Sequence, residues 1–209
     1  MNSVDYIKQF PLRHFRRGTV LLQRGDPRQF LMAIREGYVK VTSISDAGIE
    51  RLLWVAGRYD LVPLEQLFAR STDTRYFYTA LTDGSYYEVD YTNFLQTAQS
   101  DPTFMQEIAR GMSEHYDDFL QRIDAIDGLT VRERLIRTLH YIAQRFSAGE
   151  SVDLRAEGLG VTHQDIAAMI GSTRETTSLE LAALRREGLV TYDRRCFIIH
   201  ADKLQAALE

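Results

Sequence analysis

The sequence predicts an α+β fold in which an N-terminal antiparallel β-roll, or jelly roll, leads into one long helix and then a small helical unit with a β-wing. Three observations carry that expectation. All four prolines (Pro11, Pro27, Pro63 and Pro102) lie at or before position 102. Gly18, Gly25, Gly37, Gly48, Gly57 and Gly84 punctuate the first part of the chain at roughly even spacing. From Asp101 onward, apolar residues recur at helical intervals instead of alternating. The implied organisation is a β domain over residues 1–100, a long helix and hinge over 101–128, and a helical domain over 129–209.

Between the glycines lie short runs rich in β-branched and aromatic residues: Thr19–Gln23, Phe30–Arg35, Tyr38–Ile44, Arg51–Ala56, Tyr76–Leu81 and Tyr86–Val89. Such runs, bounded by Gly and Asp, are strands of an antiparallel sandwich or barrel. Ser45-Asp46-Ala47-Gly48 is a hairpin turn between two of them. Asp101 then caps a helix that Pro102 can open, because the first helical position needs no N–H. Met105, Ile108, Met112, His115, Phe119, Arg122 and Ile126 fall on one heptad seam, flanked by Leu120 and Ile123. A helix with such a seam pairs with a copy of itself, or else lies on its own barrel. Asp127-Gly128 breaks the helix, and Thr130-Val131-Arg132-Glu133 opens the next as a capping box. Val131, Leu135, Leu139 and Ile142 follow at helical spacing, and 147–151 form a polar loop.

The most informative stretch is 162–190. Thr162-His163-Gln164-Asp165 caps a short helix containing Ile166, Ala167 and Ile170, and Gly171 sits where a tight turn needs positive φ. Ser172-Thr173-Arg174-Glu175 opens a second helix running to about Arg186. On it Thr177, Leu181 and Leu184 share the inward face, opposite Arg174, Glu175 and Ser178. Two short helices joined at a glycine, with a polar N-terminal face on the second, have the form of a helix-turn-helix. Beyond Gly188, Leu189–Tyr192 and Cys196–Ile199 flank Asp193-Arg194-Arg195, a two-stranded wing with a basic turn.

Charge is unevenly spread. The chain has 25 basic and 29 acidic residues, a net of −4. Residues 1–128 hold 14 basic and 18 acidic residues, whereas 129–209 hold 11 of each. The acidity thus belongs to the β domain and the long helix. Arg174, Arg185, Arg186, Arg194 and Arg195 concentrate on the helix-turn-helix and wing, the electrostatic requirement for DNA.

At these residues the sequence resembles the CRP/FNR family of bacterial transcription regulators. Thr162-His163-Gln164-Asp165-Ile166-Ala167, with Gly171-Ser172-Thr173-Arg174-Glu175-Thr176-Thr177, is similar to that family's helix-turn-helix signature. Arg17-Gly18 through Gly25-Asp26, Glu36-Gly37-Tyr38-Val39 and Ala56-Gly57 fall where its cyclic-nucleotide-binding β-roll has glycines, and Asp101–Ile126 where it has its dimerising helix. The resemblance implies a cytoplasmic, homodimeric transcription regulator on palindromic double-stranded DNA, with RNA polymerase a further partner if it activates. It implies base reading by Arg174, Glu175, Ser178 and Leu179. The arginine fork suits guanine O6 and N7, and glutamate accepts from cytosine N4. Leu179 stands where the family often has a second arginine, and can touch a thymine methyl but not read guanine. Phosphate contacts fall to Thr162, His163, Gln164, Thr173 and Thr176, with Arg194 and Arg195 from the wing. The implied dimer interface is the seam Met105, Ile108, Met112, His115, Phe119, Arg122 and Ile126.

The family's nucleotide pocket holds ribose with a Gly-Glu pair and phosphate with an Arg-Ser pair. Here Pro63-Leu64 takes the first place, with Glu65 one residue late, and Arg75-Tyr76 lies near the second. Phe119 and Leu120 correspond to the helix residues that meet the base. Leu64, Glu65, Arg75, Tyr76, Phe119 and Leu120 therefore make a degenerate effector pocket, and no cAMP dependence and no cofactor are expected. A lone Cys196 excludes a disulfide framework and a cysteine-held iron–sulfur cluster. His14 or His115 could ligate haem, although isolated histidines are more often structural. There is no phosphate-binding glycine loop, metal-ligand spacing or nucleophile motif, so no enzyme is expected. No run of 18 apolar residues suggests a membrane span, and Met1–Phe10 lacks the order of a signal peptide. The alternatives are a regulator gated by an unidentified small ligand in the β-roll, and a nucleotide-sensing module that controls a protein partner.

Overall fold

The glycine-punctuated segment folds into eight strands among the described residues, which in this computed structural model are 3–27, 29–69, 73–126, 130–146, 151–154, 159–193 and 196–208. After α1 (Ser3–Ile7) come β1 (Leu12–Phe15), β2 (Val20–Leu22), β3 (Phe30–Glu36), β4 (Val39–Ile44), β5 (Glu50–Ala56), β6 (Leu61–Val62), β7 (Phe77–Ala80) and β8 (Gly84–Asp90). They form two antiparallel sheets, ordered β1-β8-β3-β6 and β2-β7-β4-β5. Turn chemistry sets the register. In the β4–β5 hairpin, Gly48 N–H donates to the Ser45 carbonyl at 2.8 Å, with Gly48 at φ +76°. At Gly37 (φ +83°) a Cβ would lie 2.5 Å from the Asp83 carbonyl oxygen, so only glycine lets the β3–β4 turn meet the β7–β8 turn.

The chain divides into two compact units, Met1–Tyr116 and Asp117–Glu209. In the first, β3 is buried on both faces, which is why Leu31-Met32-Ala33-Ile34 is a continuous apolar run instead of an alternation. Leu31 and Ala33 join Tyr6, Leu67, Val89, Phe94, Phe104 and Ile108 in one core cluster. That cluster ties the β-roll to α1, to α2 (Tyr91–Ser100) and to the first half of α3 (Pro102–Ile126). Phe104 packs edge-on against Tyr6 and Phe94 at 5.0 and 5.3 Å. Asp90 caps α2 by accepting from Asn93 N–H at 2.8 Å. Asp101 caps α3 by accepting from the N–H groups of Thr103 and Phe104 at 2.9 and 3.2 Å.

This packing corrects the heptad seam. Ile108 is buried in the core of its own unit, with Met105 and Met112 packed against it, and His115 stands edge-on to Trp54 with ring centroids 4.2 Å apart. Arg122 is only 6% exposed. What α3 leaves in solvent is Tyr116, Leu120 and Ile123, at 64%, 46% and 58% exposure, with Ile126 beyond. Spacing of i, i+4 and i+7 puts the first three on one face.

The second unit takes the end of α3, then α4 (Val131–Phe146), β9 (Ser151–Asp153), α5 (His163–Ile170), α6 (Arg174–Arg186), β10 (Val190–Asp193), β11 (Cys196–His200) and α7 (Ala201–Ala206). Thr130 and Glu133 form the expected cap of α4, with Thr130 N–H donating to the Glu133 carboxylate at 2.9 Å and Glu133 N–H to the Thr130 hydroxyl at 3.3 Å. Leu135, Ile136, Leu139 and Ile142 fill the core from α4. The wing strands β10 and β11 pair from Val190↔Ile199 to Asp193↔Cys196, and β9 adds a third strand on β11. Asp127-Gly128 and most of the 147–151 loop lie outside the described residues.

Candidate nucleic-acid interface

The helix-turn-helix is built by its caps. Thr162 and Asp165 form a reciprocal capping box at the start of α5, the Thr162 hydroxyl donating to Asp165 Oδ2 at 2.6 Å. Gly171 ends α5 in the left-handed region (φ +62°, ψ 45°), with its N–H on the Ala167 carbonyl. Thr173 Oγ1 then accepts from Thr176 N–H at 3.2 Å and opens α6. Thr177, Leu181 and Leu184 are fully buried, fixing which face of α6 turns inward.

The outward face carries Arg174 and Glu175 in the first turn, both exposed, and Leu179, 74% exposed. Glu175, Leu179, Ala182 and Arg186 lie along one stripe of α6, all exposed. Gln164 and Thr173 are exposed beside it, and Thr162 and Thr176 half-buried. His163 and Ser178 are not open in the same way: His163 Nδ1 and Ser178 Oγ share a hydrogen bond at 2.9 Å. The His163 ring also packs against Tyr192 and Phe197 at 5.1 and 5.7 Å. Burial, and then the Arg174 charge, hold its pKa below the ordinary 6.5. Arg185 lies over the Tyr192 ring at 5.2 Å, joining α6 to β10. Arg194 and Arg195 lie outside the described residues.

Two arginines hold α5 from its far end, Arg122 from the predicted seam and Arg134 with no role visible in the sequence. Arg122 Nη2 donates to the Met169 carbonyl at 3.1 Å, and Arg134 Nε to the Ile170 carbonyl at 2.9 Å. Helix C-terminal carbonyls lack intrahelical donors and carry negative partial charge, so guanidinium groups satisfy both needs. Burial lowers the Arg122 pKa to about 10, which still leaves it charged at neutral pH. Further pairs bind the unit together: Arg145 to Asp118 at 2.9 Å, Arg137 to Asp124 at 3.5 Å, and Arg132 to Glu187. Apart from Arg122, which the heptad spacing placed on the seam, no sequence signal distinguished these arginines from ones that face solvent.

In the first unit, Leu64 and Glu65 lie on a 3₁₀ turn (Leu64–Gln66) after Pro63. Although Glu65 is exposed as a residue, its carboxylate turns in to accept a hydrogen bond from the Tyr78 hydroxyl. Desolvation raises the pKa of Glu65, against the lowering effect of Tyr78 and of the Arg75 charge; burial beside that carboxylate also raises Tyr78. Arg75 is exposed and Tyr76 half-buried. Leu64, Glu65, Arg75 and Tyr76 all belong to the first unit, whereas Phe119 and Leu120 belong to the second. Among the described residues no group of three His, Cys, Asp or Glu side chains is placed to hold a metal, and no helix is long and apolar enough to cross a membrane.

Comparison with known proteins agrees with this architecture. Residues 12–101 match the cyclic nucleotide-binding domain, and residues 133–207 the Crp-like helix-turn-helix domain. The chain is 27% identical over 181 residues to an anaerobic regulatory protein of Pasteurella multocida, spanning 87% of this chain and 65% of that protein. It is 26% identical over 183 residues to electron transport regulator A of Shewanella oneidensis, spanning 88% and 72%. The structure of FixK2 from Bradyrhizobium japonicum superposes with a TM-score of 0.79 at 15% identity, covering 96% of this chain and 97% of that one. A cyclic-nucleotide-binding-type β-roll, a long helix and a C-terminal helix-turn-helix in this order place the chain in the CRP/FNR family of DNA-binding transcription regulators.

Proposed function

We propose that the chain acts as a cytoplasmic homodimer on a palindromic DNA site and does so without cAMP, meeting RNA polymerase where it activates. The observation that carries this reading is the outward face of α6, where Arg174, Glu175 and Leu179 stand exposed on a helix whose opposite face is fully buried. Arg174 and Glu175 would read base edges from the N-terminal turn, and Leu179 would meet a thymine methyl. Gln164, Thr173 and Thr176, with Thr162 at the α5 cap and Arg194 and Arg195 on the wing, would hold phosphates. Ser178, tied to His163, would support that face and read bases only through its remaining lone pair. The dimer contact is assigned to Tyr116, Leu120 and Ile123 with Phe119 and Ile126, replacing the buried part of the seam. Two-fold symmetry would then demand a palindrome. In these terms residues 1–100 are the sensor-type domain, 101–128 the dimerising segment and 129–209 the DNA-binding domain.

Independence from cAMP is supported by the chemistry at the nucleotide position. The carboxylate that falls there, Glu65, is engaged by Tyr78, and the Leu64 side chain offers a ribose no acceptor. Selection of bound sequences from random DNA, with and without cAMP, tests all of this. Enrichment of one palindrome under both conditions is expected. Enrichment only with cAMP would overturn the effector assignment, and recovery of single half-sites would overturn the dimer.

A further inference from the structure

Within the first unit a cavity of about 320 Å³ opens between α1, the turn after β5, and the first half of α3. Its size falls in the range of small-molecule sites. Trp54, Leu61, Phe94, Phe104 and Ile108 give it an apolar lining. At its rim stand three cations, Lys8, Arg35 and Arg58, and two carboxylates, Asp60 and Glu107. Both carboxylates already accept backbone N–H groups: Asp60 from Gly57 at 2.7 Å and Glu107 from Ser3 at 2.9 Å. Of the residues placed at the nucleotide position, only Leu64 lines this space.

Two backbone features mark the cavity as built. Tyr59, at its mouth, has φ +73°, the one non-glycine residue with positive φ among the described residues. Tyr59 N–H on the Ile34 carbonyl at 2.9 Å and Ile34 N–H on the Asp60 carbonyl at 3.0 Å pin that turn to β3. The turn holds the Arg58 guanidinium 4.7 Å from the Tyr59 ring centroid. Local strain of this kind collects at ligand clamps. Across the cavity, α3 carries Gly111 in its interior, where glycine is a poor helix former. A Cβ added there would meet nothing within 4 Å. The helix forgoes a side chain at a position that lines the cavity.

We infer that this cavity is an effector site for an amphipathic organic acid, its apolar body on the Phe94–Phe104–Ile108 floor and its carboxylate on Arg58 with Arg35 or Lys8 beside it. The inference deepens the regulator reading by supplying a ligand chemistry other than cyclic nucleotide, and its binding arm does not depend on that reading. Decanoate is the probe, added to the full chain. Trp54, the chain's single tryptophan, lines the cavity and reports occupancy by fluorescence.

A saturable change at one decanoate per chain, with a raised melting temperature, is expected; decanol and cAMP should bind far more weakly. Arg58→Gln should weaken decanoate about tenfold, the loss of one charge-assisted hydrogen bond. Gly111→Leu should fill the space and abolish binding while the melting temperature of the free protein holds or rises. No saturable signal, decanol binding as tightly as decanoate, or wild-type affinity in Gly111→Leu would each overturn the site. Palindrome binding assayed on the same preparations separates the two ideas: its loss overturns the regulator reading, and failed decanoate binding with DNA binding intact overturns this site alone.

Discussion

Replacing Gly171 with alanine isolates the backbone cost of the helix-turn-helix corner. At φ +62° and ψ 45° the residue is left-handed, a conformation that costs an L-residue about 1–2 kcal/mol. A Cβ there would meet nothing within 4 Å, so no steric cost is added. Reduced entropy of the unfolded chain returns about 0.4–1 kcal/mol. The net expectation for Gly171→Ala is a destabilisation of about 1 kcal/mol, and less for Gly171→Asn, since asparagine tolerates this region. Gly37→Ala is the contrasting case. Its Cβ would lie 2.5 Å from the Asp83 carbonyl oxygen and 2.9 Å from Gly84 Cα, adding about 1–3 kcal/mol of overpacking to the same backbone cost. Urea unfolding separates them, because Trp54 fluorescence follows the first unit while far-UV circular dichroism is weighted toward the helical second. A cost for Gly171→Ala above about 3 kcal/mol, or asparagine no better than alanine, would refute the claim that backbone conformation alone demands glycine at this corner.

Arg174→Ala should weaken binding to the selected palindrome by about 1–3 kcal/mol and relax one base position per half-site; a uniform loss over all sequences in a binding titration would make Arg174 a phosphate contact instead. Leu179→Arg should shift the preference at one position from thymine toward guanine, read from the same selection, and an unchanged logo would remove Leu179 from the base-reading set. Tyr116→Glu combined with Ile123→Glu should yield monomers in analytical ultracentrifugation with little loss of melting temperature, because both side chains are exposed; a persistent dimer would place the contact elsewhere. For His163, whose folded pKa lies below its ordinary 6.5, the unfolded chain binds more protons between the two values. Stability of the second unit should therefore fall as pH drops through that window and level off below it, and His163→Asn should flatten the profile. A wild-type profile flat from pH 7.5 to about 5 would contradict it.

The sequence revealed the elements whose logic is local. Strands were legible because the turns between them put glycine at positive φ, as at Gly37 and Gly48. The helix-turn-helix was legible because Thr162, Gly171 and Thr173 state its boundaries in side-chain chemistry. What failed depended on partners distant in sequence. The apolar spacing of Met105, Ile108 and Met112 is the same for a helix lying on a sheet as for a coiled coil, and the sheet takes them. Arg122 falls on the heptad seam by spacing, but its partner is a carbonyl 47 positions away. β6 and β9 span two and three residues, too short to show an alternation. α2 buries only Phe94 and Ala98, so its ten residues lack a strong apolar stripe. In the effector region the departures at Leu64 and Glu65 were visible, whereas the cavity beside α1 was not, since it is enclosed by residues spread from Ser3 to His115.

The inward commitment of arginine has a consequence for the search along DNA. Arg122, Arg132, Arg134, Arg137 and Arg145 are all bonded to carbonyls or carboxylates of their own unit. Each guanidinium withheld from a phosphate leaves one condensed counterion on the duplex and removes about 0.9 from the slope of log affinity against log salt. Association with random DNA should therefore be weak and brief already at low salt, and should change only gradually as salt rises. Such a protein would not be held up by the great excess of sequences it has no use for, and would dwell only where its recognition helices fit the groove.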